Sequence, residues 1–444
     1  MLEWVVWETT APLAVYAAAT AAKGGDSRAS KQGAADEGAV TVHHASVDIT
    51  SNRVCAVVES QVPVNVYHVP TLLQRARELK AALTNVNRLF FATKSNTHPR
   101  LVRAIHSLGF GLECVSLQEV EYVMAATHAS PDHVLFTPNF ATRDEYAAAI
   151  KLGVHVTVDN VYCLRAWPDV FTGASVALRI DPVKGRGHHK HVVTAGSQSK
   201  FGMGIEDMPE VVQICKDNNI TVVGLHCHSG SGIFDPATWN EHAACLIAVA
   251  KQFPAVKFMD IGGGLGVPYR FTEKRLNLDK VNEELAAILH PGIDLWMEPG
   301  RFLVSECGVL LARVSQIKTK AGVKFVGITA GMNNLLRPAL YGSHHELANL
   351  SHLARTRRGA TDGATDGATD GATDGDSGAC EPVTVCGPIC ESADIFGRDR
   401  MLPVDTREGD VILVDTTGAY GVTMESYYNM RPRASAHFLL PPSP

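Results

Sequence analysis

Lys94 ends the run Arg88-Leu-Phe-Phe-Ala-Thr-Lys94-Ser-Asn96, a short apolar stretch that stops at polar residues. A lysine delivered by a buried strand is a candidate Schiff-base amine, because desolvation favours its neutral, nucleophilic form. Taken alone, it reads more simply as a surface lysine just past a strand. Three later apolar runs change the balance, ending in His226-Cys-His228-Ser-Gly-Ser231, Asp260-Ile-Gly-Gly263-Gly264 and Glu298-Pro-Gly300-Arg301. Glycines let backbone N–H groups approach an anion, Ser231 can donate a hydroxyl, and Arg301 supplies a two-pronged cation. A phosphate site paired with a Schiff-base lysine points to pyridoxal 5'-phosphate (PLP). That cofactor needs a carboxylate on its pyridine nitrogen, a task suited to Glu298. His228 is placed to stack on the ring, and Arg179, closing another run, to contact the ring or its hydroxyl side. His188, His189 and His191 match no specific metal-site spacing, so no metal is expected.

The elements that must position these groups are eight buried strands: Leu89–Thr93, Leu112–Val115, Val134–Thr137, His155–Val158, Ser175–Ile180, Val222–His228, Lys257–Ile261 and Leu295–Glu298. Helical stretches separate most of them. Ser116-Leu-Gln-Glu119 and Thr142-Arg-Asp-Glu145 have capping-box spacing just after the second and third strands. Asp235-Pro236 gives an N-cap and first-turn proline before a helix running to Phe253. Strands alternating with capped helices describe a (β/α)8 TIM barrel, whose strand ends share one site. After Gly300 the runs Phe302–Ile317, Val323–Ile328, Val383–Cys386, Val411–Asp415 and Ala434–Leu440 are β-like. The fold class is therefore α/β, a PLP-binding barrel plus a mostly β C-terminal domain that also takes in N-terminal strands. The expected divisions are a flexible extension over 1–40, N-terminal strands over 41–68, the barrel over 69–303 and the β-domain over 304–444. Four tandem Gly-Ala-Thr-Asp copies begin at Gly359 and lack large side chains, so 359–375 is expected to be a disordered surface insertion.

Composition bounds the function classes. A hydrophobic fraction of 45% with 19% charged residues fits a globular enzyme with a large core. The net charge of −6 offers no general attraction to nucleic acid or anionic membrane. No apolar run approaches the ~20 residues that span a bilayer. The ten cysteines form no CxxC pair or disulfide framework and read as reduced thiols. A cytoplasmic location is the expectation, with N-terminal targeting left open: Glu3 and Glu8 stand where a secretory signal would be basic.

In series, several segments resemble the fold-type III PLP-dependent decarboxylases, with their alanine-racemase-like barrel. They are Ala92-Thr-Lys94-Ser-Asn96, His228-Ser-Gly-Ser231, Gly262-Gly263-Gly264, Glu298-Pro-Gly-Arg301, Met332-Asn-Asn-Leu-Leu-Arg337-Pro-Ala-Leu-Tyr341, Cys386-Gly-Pro-Ile-Cys390-Glu391 and Gly418-Ala-Tyr420-Gly. The resemblance runs in family order from about residue 60 to the end. It implies that Lys94 holds PLP covalently. It assigns Ser231, Gly264 and the segment from Glu298 to Arg301, with Gly300, to cofactor binding. Arg301, Arg337 and Tyr341 would hold a substrate carboxylate, and Glu391 the distal ammonium. Tyr420 would contact cofactor and substrate, and Cys390 would donate the proton after carbon dioxide leaves. Cys390 and Glu391 would come from a partner subunit, so a homodimer is implied. Without the resemblance, Cys390 reads as well as a small buried apolar residue.

Cys-Glu at 390–391, where ornithine-type enzymes resemble Cys-Asp, and the two arginines favour an amino acid with a carboxylate and an ammonium at its far end. The expected reaction is decarboxylation of meso-2,6-diaminopimelate to L-lysine. The alternatives are an ornithine- or arginine-type decarboxylase of the same fold, or a non-catalytic regulatory relative. Three positions depart from the family pattern: Glu113 and Asn334, each where Asp is frequent, and Thr329, where Asp-Ala-Gly is common.

Overall fold

The computed structural model describes residues 63–182, 199–362 and 379–440. The expectations for 1–40, for strands before residue 63, for the three histidines at 188–191 and for most of the Gly-Ala-Thr-Asp repeats lie outside the described residues. Two compact units divide the chain.

The first described strand, β1 (Val64–His68), belongs to the β unit and leads into a helix over Val69–Ala82. The second unit is a closed barrel of eight parallel strands. These are β2 (Arg88–Ala92), β3 (Gly111–Cys114), β4 (Val134–Phe136), β5 (His155–Val158), β6 (Ser175–Arg179), β7 (Thr221–His226), β8 (Phe258–Asp260) and β9 (Asp294–Met297). β2 pairs β9 through Arg88↔Trp296 and Leu89↔Met297, which closes the ring. Parallel strands covered by helices are buried on both faces, so they read as short apolar runs.

The helices begin where their caps are. Thr142 and Glu145 form the reciprocal capping box. At Leu117–Thr127 the box is only half made: Ser116 Oγ accepts from Glu119 N, but Glu119 reaches back to Val115 N. Before the helix Ala237–Ala250, Asp235 Oδ1 accepts from Ala237 N, and the helix stops three residues short of Phe253.

The amino-terminal end of the barrel is plugged by Phe90, Leu135, Ala177, Phe258 and Trp296. The Phe258 and Trp296 rings stack with centroids 3.6 Å apart and 6° between planes. Two strand glycines make room for these rings. A Cβ on Gly111 would lie 2.4 Å from the Phe90 ring, and one on Gly224 2.1 Å from Phe258. The plug closes the end opposite the polar strand ends.

The β unit groups described residues 63–71, 269–273 and 306–440. Tyr269–Glu273, within the stretch expected to be barrel, is part of this unit. Its sheet runs β12 (Leu347–Asn349), β15 (Val411–Val414), β10 (Gly308–Lys320), β11 (Val323–Ile328), β13 (Cys380–Cys386) and β14 (Ile395–Pro403). β1 pairs antiparallel with β10 and parallel with β16 (Ser435–Leu439).

Three expectations need correction. Arg301–Val304 is a helical turn, and β10 starts only at Gly308, although Phe302–Ile317 reads as one β-like run. All four residues of the turn are buried, and a short buried apolar run does not distinguish helix from strand. β12 and β14 were not anticipated. The helix Leu350–Asp362 takes in the first Gly-Ala-Thr-Asp copy, which reads as coil by composition.

Gly224→Ala should destabilise the barrel by about 1–3 kcal/mol through overpacking. The urea midpoint should fall with the slope unchanged; a midpoint equal to wild type would show that Phe258 can yield.

Candidate active site

The carboxyl end of the barrel gathers one or more polar side chains from every strand. They are Lys94 after β2, Glu113 in β3, Thr137 after β4, Asp159 after β5, Arg179 in β6, His226 and His228 around the end of β7, Asp260 in β8 and Glu298 after β9. All but Lys94 and His228 are at least nine-tenths buried. The parallel register makes this possible: strands that each end on a polar residue place those residues on one rim.

Lys94 stands in the 3-10 turn Thr93–Ser95 that follows β2. Its Nζ donates to both carboxylate oxygens of Glu113, at 2.8 and 2.7 Å. Thr137 Oγ1 also donates to Glu113. The Lys94 side chain keeps about a third of its exposure (36%), so its amine remains reachable. Glu113 is fully buried, and burial pushes its carboxyl up to about 7 against the pull of Lys94. Arg179 sits with its guanidinium 4.6 Å from the centre of the Phe201 ring. Burial lowers it, while the charges of Glu298, Asp159 and Glu113 oppose that.

The glycine loops after β7 and β8 interlock. Ile233 N donates to Gly264 O at 2.9 Å, and Trp239 Nε1 donates to Gly263 O at 2.9 Å. Gly263 N donates to His228 Nδ1 at 3.2 Å, which requires that nitrogen to be unprotonated. Burial and the neighbouring Arg179 accordingly hold His228 well below the ordinary histidine range. A side chain at Gly263 would meet Glu298 O at 2.1 Å, and Gly264 has φ +87° with Gly230 O 2.4 Å from where its Cβ would be. Backbone is thus brought closer than any side chain would permit. Arg301 Nε donates to Ser231 Oγ at 3.1 Å, joining two of the residues expected to bind a phosphate.

These residues fit PLP. Lys94, the expected anchor, has a reachable amine, the glycine loops bring backbone close together, and Arg301 lies against Ser231. Buried polar atoms also await a partner: Ser229 Oγ and Glu298 Oε1 have none among the described residues. Burial alone would raise the Glu298 carboxyl, but His226, Lys94 and His228 outweigh it and hold Glu298 below the ordinary range. A charged carboxylate there is what a protonated pyridine nitrogen requires. His226, Asp260 and Glu298 also approach closely enough to suit a metal, but Glu298 is the carboxylate the sequence offers for the pyridine nitrogen.

The other sequence-derived candidates lie in the β unit. Arg337 is fully buried, in a short helix over Arg337–Tyr341. Its Nη1 lies 3.0 Å from His345 Nε2, while His345 Nδ1 lies 2.8 Å from the Asp415 carbonyl. A carbonyl only accepts, so Nδ1 carries the proton and Nε2 accepts from Arg337. The guanidinium also lies over the Tyr269 ring at 4.5 Å.

Cys390 and Glu391 are exposed on a turn between β13 and β14. The buried Asp394 carboxylate anchors that turn, accepting from Met332 N at 2.6 Å and Ile389 N at 2.7 Å. Cys390 N donates to Asn429 Oδ1 at 2.7 Å. Tyr420 holds a left-handed φ of +59°. Thr137, Asp159, His226, Asp260 and Asp394 were not singled out as functional. The first four close assigned strands, the signal that picked out Lys94 and Glu298; Asp394 had no comparable signal.

Glu113 gives a pH prediction. With the folded pKa raised above the ordinary 4.5, the apoprotein retains a proton that the unfolded chain releases. Its stability contribution is complete below about 4.5 and is lost as pH rises through about 7. Removing Lys94 deletes a charge that lowers this pKa. Apo Lys94→Ala should therefore lose more stability between pH 5 and 8 than the double variant Lys94→Ala/Glu113→Gln, as followed by urea midpoints. Parallel pH profiles would contradict this.

Comparison with known proteins places the chain. Residues 70–305 match the family described as pyridoxal-dependent decarboxylase, pyridoxal binding domain. The diaminopimelate decarboxylase of Methanothermobacter thermautotrophicus is 34% identical over 359 residues, 78% of each chain. That of Escherichia coli is 31% identical over 387 residues, covering 83% of this chain and 87% of the relative. The crystal structure of diaminopimelate decarboxylase from Helicobacter pylori complexed with L-lysine aligns with TM-score 0.74 and 27% identity, over 85% of this chain and 92% of that one. Family match, relatives and the rim of polar strand ends agree: this chain belongs to the pyridoxal-dependent decarboxylases.

Proposed function

We infer that the protein decarboxylates meso-2,6-diaminopimelate to L-lysine and carbon dioxide with PLP as cofactor. The observation that carries this reading is the Lys94 amine, reachable from solvent and held on the buried Glu113 carboxylate, on the same rim as the glycine cradle and Glu298. The relatives named as diaminopimelate decarboxylases support the substrate.

Lys94 is the residue that would hold the cofactor covalently. Ser231, Gly263, Gly264, Gly300 and Arg301 would take its phosphate end, with Glu298 at the pyridine nitrogen. His228 would lie against the ring, and Arg179 and Tyr420 would make further contacts. When bound, the cofactor supplies an electron sink for the carbanion that carbon dioxide leaves behind. The chain supplies the rest. Glu113 receives and returns the Lys94 proton as the amine is taken up and released, a task its raised pKa suits.

Arg337 and Arg301, with Tyr341, are assigned to the distal carboxylate. Arg337 is pre-oriented by His345 and Tyr269, so little side-chain freedom is lost on binding. Glu391 is assigned to the distal ammonium and Cys390 to proton delivery.

We further propose a homodimer in which the Cys390 turn serves the second copy. The turn is exposed, and the segment bonded to it through Asn429 carries Tyr427 and Met430, 65% and 93% exposed. An apolar surface of that kind suits burial against another chain.

Three variants test the reading in the holoenzyme. Lys94→Ala should remove both turnover and the absorbance of covalently held cofactor; full activity in it would overturn the mechanism. Cys390→Ala should lower kcat by about 10²- to 10⁴-fold with KM little changed. Arg337→Met should raise KM for diaminopimelate about 10- to 100-fold by deleting a charge-assisted contact. An unchanged KM in a folded Arg337→Met protein would remove that residue from the substrate site.

A further inference from the structure

Beside Glu298 lies a buried acid with no part in the proposed reaction. Asp260 ends β8 and is 1% exposed, and Glu298 is 5% exposed. Side-chain oxygens of the two, and a ring nitrogen of His226, all lie within 4.8 Å of one another. Asp260 is oriented by its own loop: Oδ1 accepts from Gly262 N at 2.9 Å. Its other oxygen, Oδ2, has no partner among the described residues, nor has Glu298 Oε1. His226 Nε2 stands 3.5 Å from Glu298 Oε1, too long for a good hydrogen bond.

Two buried carboxylates this close cannot both ionise without a large electrostatic cost. A single proton held between them removes one charge and supplies the donor that the two orphan acceptors lack. The surroundings decide where it rests. Glu298 faces Lys94, His226, His228 and the Arg179 guanidinium, whose first opposing charge is Glu298. Asp260 meets burial and then the Glu298 charge, and both push its carboxyl well above the ordinary range.

We propose that Asp260 is a positioning residue for the cofactor: it keeps its proton, donates from Oδ2 to Glu298, and so presents Glu298 to the pyridine nitrogen as a fixed carboxylate. The inference rests on the assignment of Glu298 to that nitrogen. Asp260 touches neither cofactor nor substrate in this account. It acts by preventing Glu298 from taking up the proton itself, which would leave the pyridine nitrogen without its counter-charge.

The test compares Asp260→Asn, Asp260→Leu and Glu298→Gln in holoenzyme reconstituted with PLP labelled with ¹⁵N at the pyridine nitrogen. Asparagine keeps a donor for Glu298 and an acceptor for Gly262 N–H. Asp260→Asn should hold kcat within about threefold of wild type, with the ¹⁵N signal at the protonated position. Asp260→Leu should lower kcat about 10- to 100-fold with KM nearly unchanged, and move the signal towards the unprotonated position. A purely structural role would not move that signal.

The proposal is overturned if Asp260→Asn is as impaired as a protein lacking the Glu298 carboxylate, since a charge on Asp260 would then be needed. It is also overturned if Asp260→Leu keeps the wild-type signal and kcat. Should the leucine variant fail to fold, the asparagine variant decides alone by the same criterion. The Glu298→Gln control separates the two claims. Unchanged turnover and ¹⁵N signal in it remove the Glu298 assignment, and the proposal with it; an impaired control beside an indifferent Asp260 leaves that assignment standing.

Discussion

The Lys94–Glu113 ion pair sets the terms for the carboxyl end of the barrel. Glu113 is inaccessible to water, and an unpaired carboxylate there would cost several kcal/mol. Two hydrogen bonds from Lys94 and one from Thr137 offset part of that cost, burial still holding the carboxyl up at about 7, and they leave the amine on the accessible side. The pair does more than neutralise charge. It points the amine, and it leaves a base beside it that can take the proton when the amine reacts. Both Glu113 oxygens are engaged by Lys94, and one of them also by Thr137.

The same constraint runs round the rim. Arg179 has Glu298 and Asp159 for counter-charges, Asp159 is bonded by Asn139 and Tyr146, and Asp260 and Glu298 share the interior with His226. Lys94 and Glu113 stand on adjacent strands, as do Asp159 and Arg179, so these pairings depend on the parallel register. The aromatic plug of Phe90, Phe258 and Trp296 at the other end fixes that register without contributing chemistry. The β unit shows a parallel economy: Arg337 is buried, yet His345 and Tyr269 hold it by one hydrogen bond and one ring face.

How much of this was legible follows from what sequence patterns encode. The barrel strands match their apolar runs within about two residues, because strands buried on both faces are continuous and end at polar rim residues. Lys94, Glu298 and the glycine loops stood out for the same reason. Arg301–Val304 misled because a fully buried helical turn has no polar face to show its period. β14 was hidden by the charged run Arg398-Asp399-Arg400 in its middle, of which Arg398 and Asp399 are exposed. Asp260 and His226 lie within the strand-end motifs themselves. Their importance comes from proximity to Glu298 across neighbouring strands, which no spacing along the chain expresses.

The central claim concerns which amino acid loses carbon dioxide here, and the direct measurement is carbon dioxide release by PLP-loaded protein given meso-diaminopimelate, ornithine or arginine side by side. The account predicts release from diaminopimelate with stoichiometric lysine, and little from the other two, whose far ends lack the carboxylate assigned to Arg301 and Arg337. Release mainly from ornithine or arginine would contradict the substrate assignment, and no release from any of the three despite bound cofactor would contradict the enzymatic reading itself.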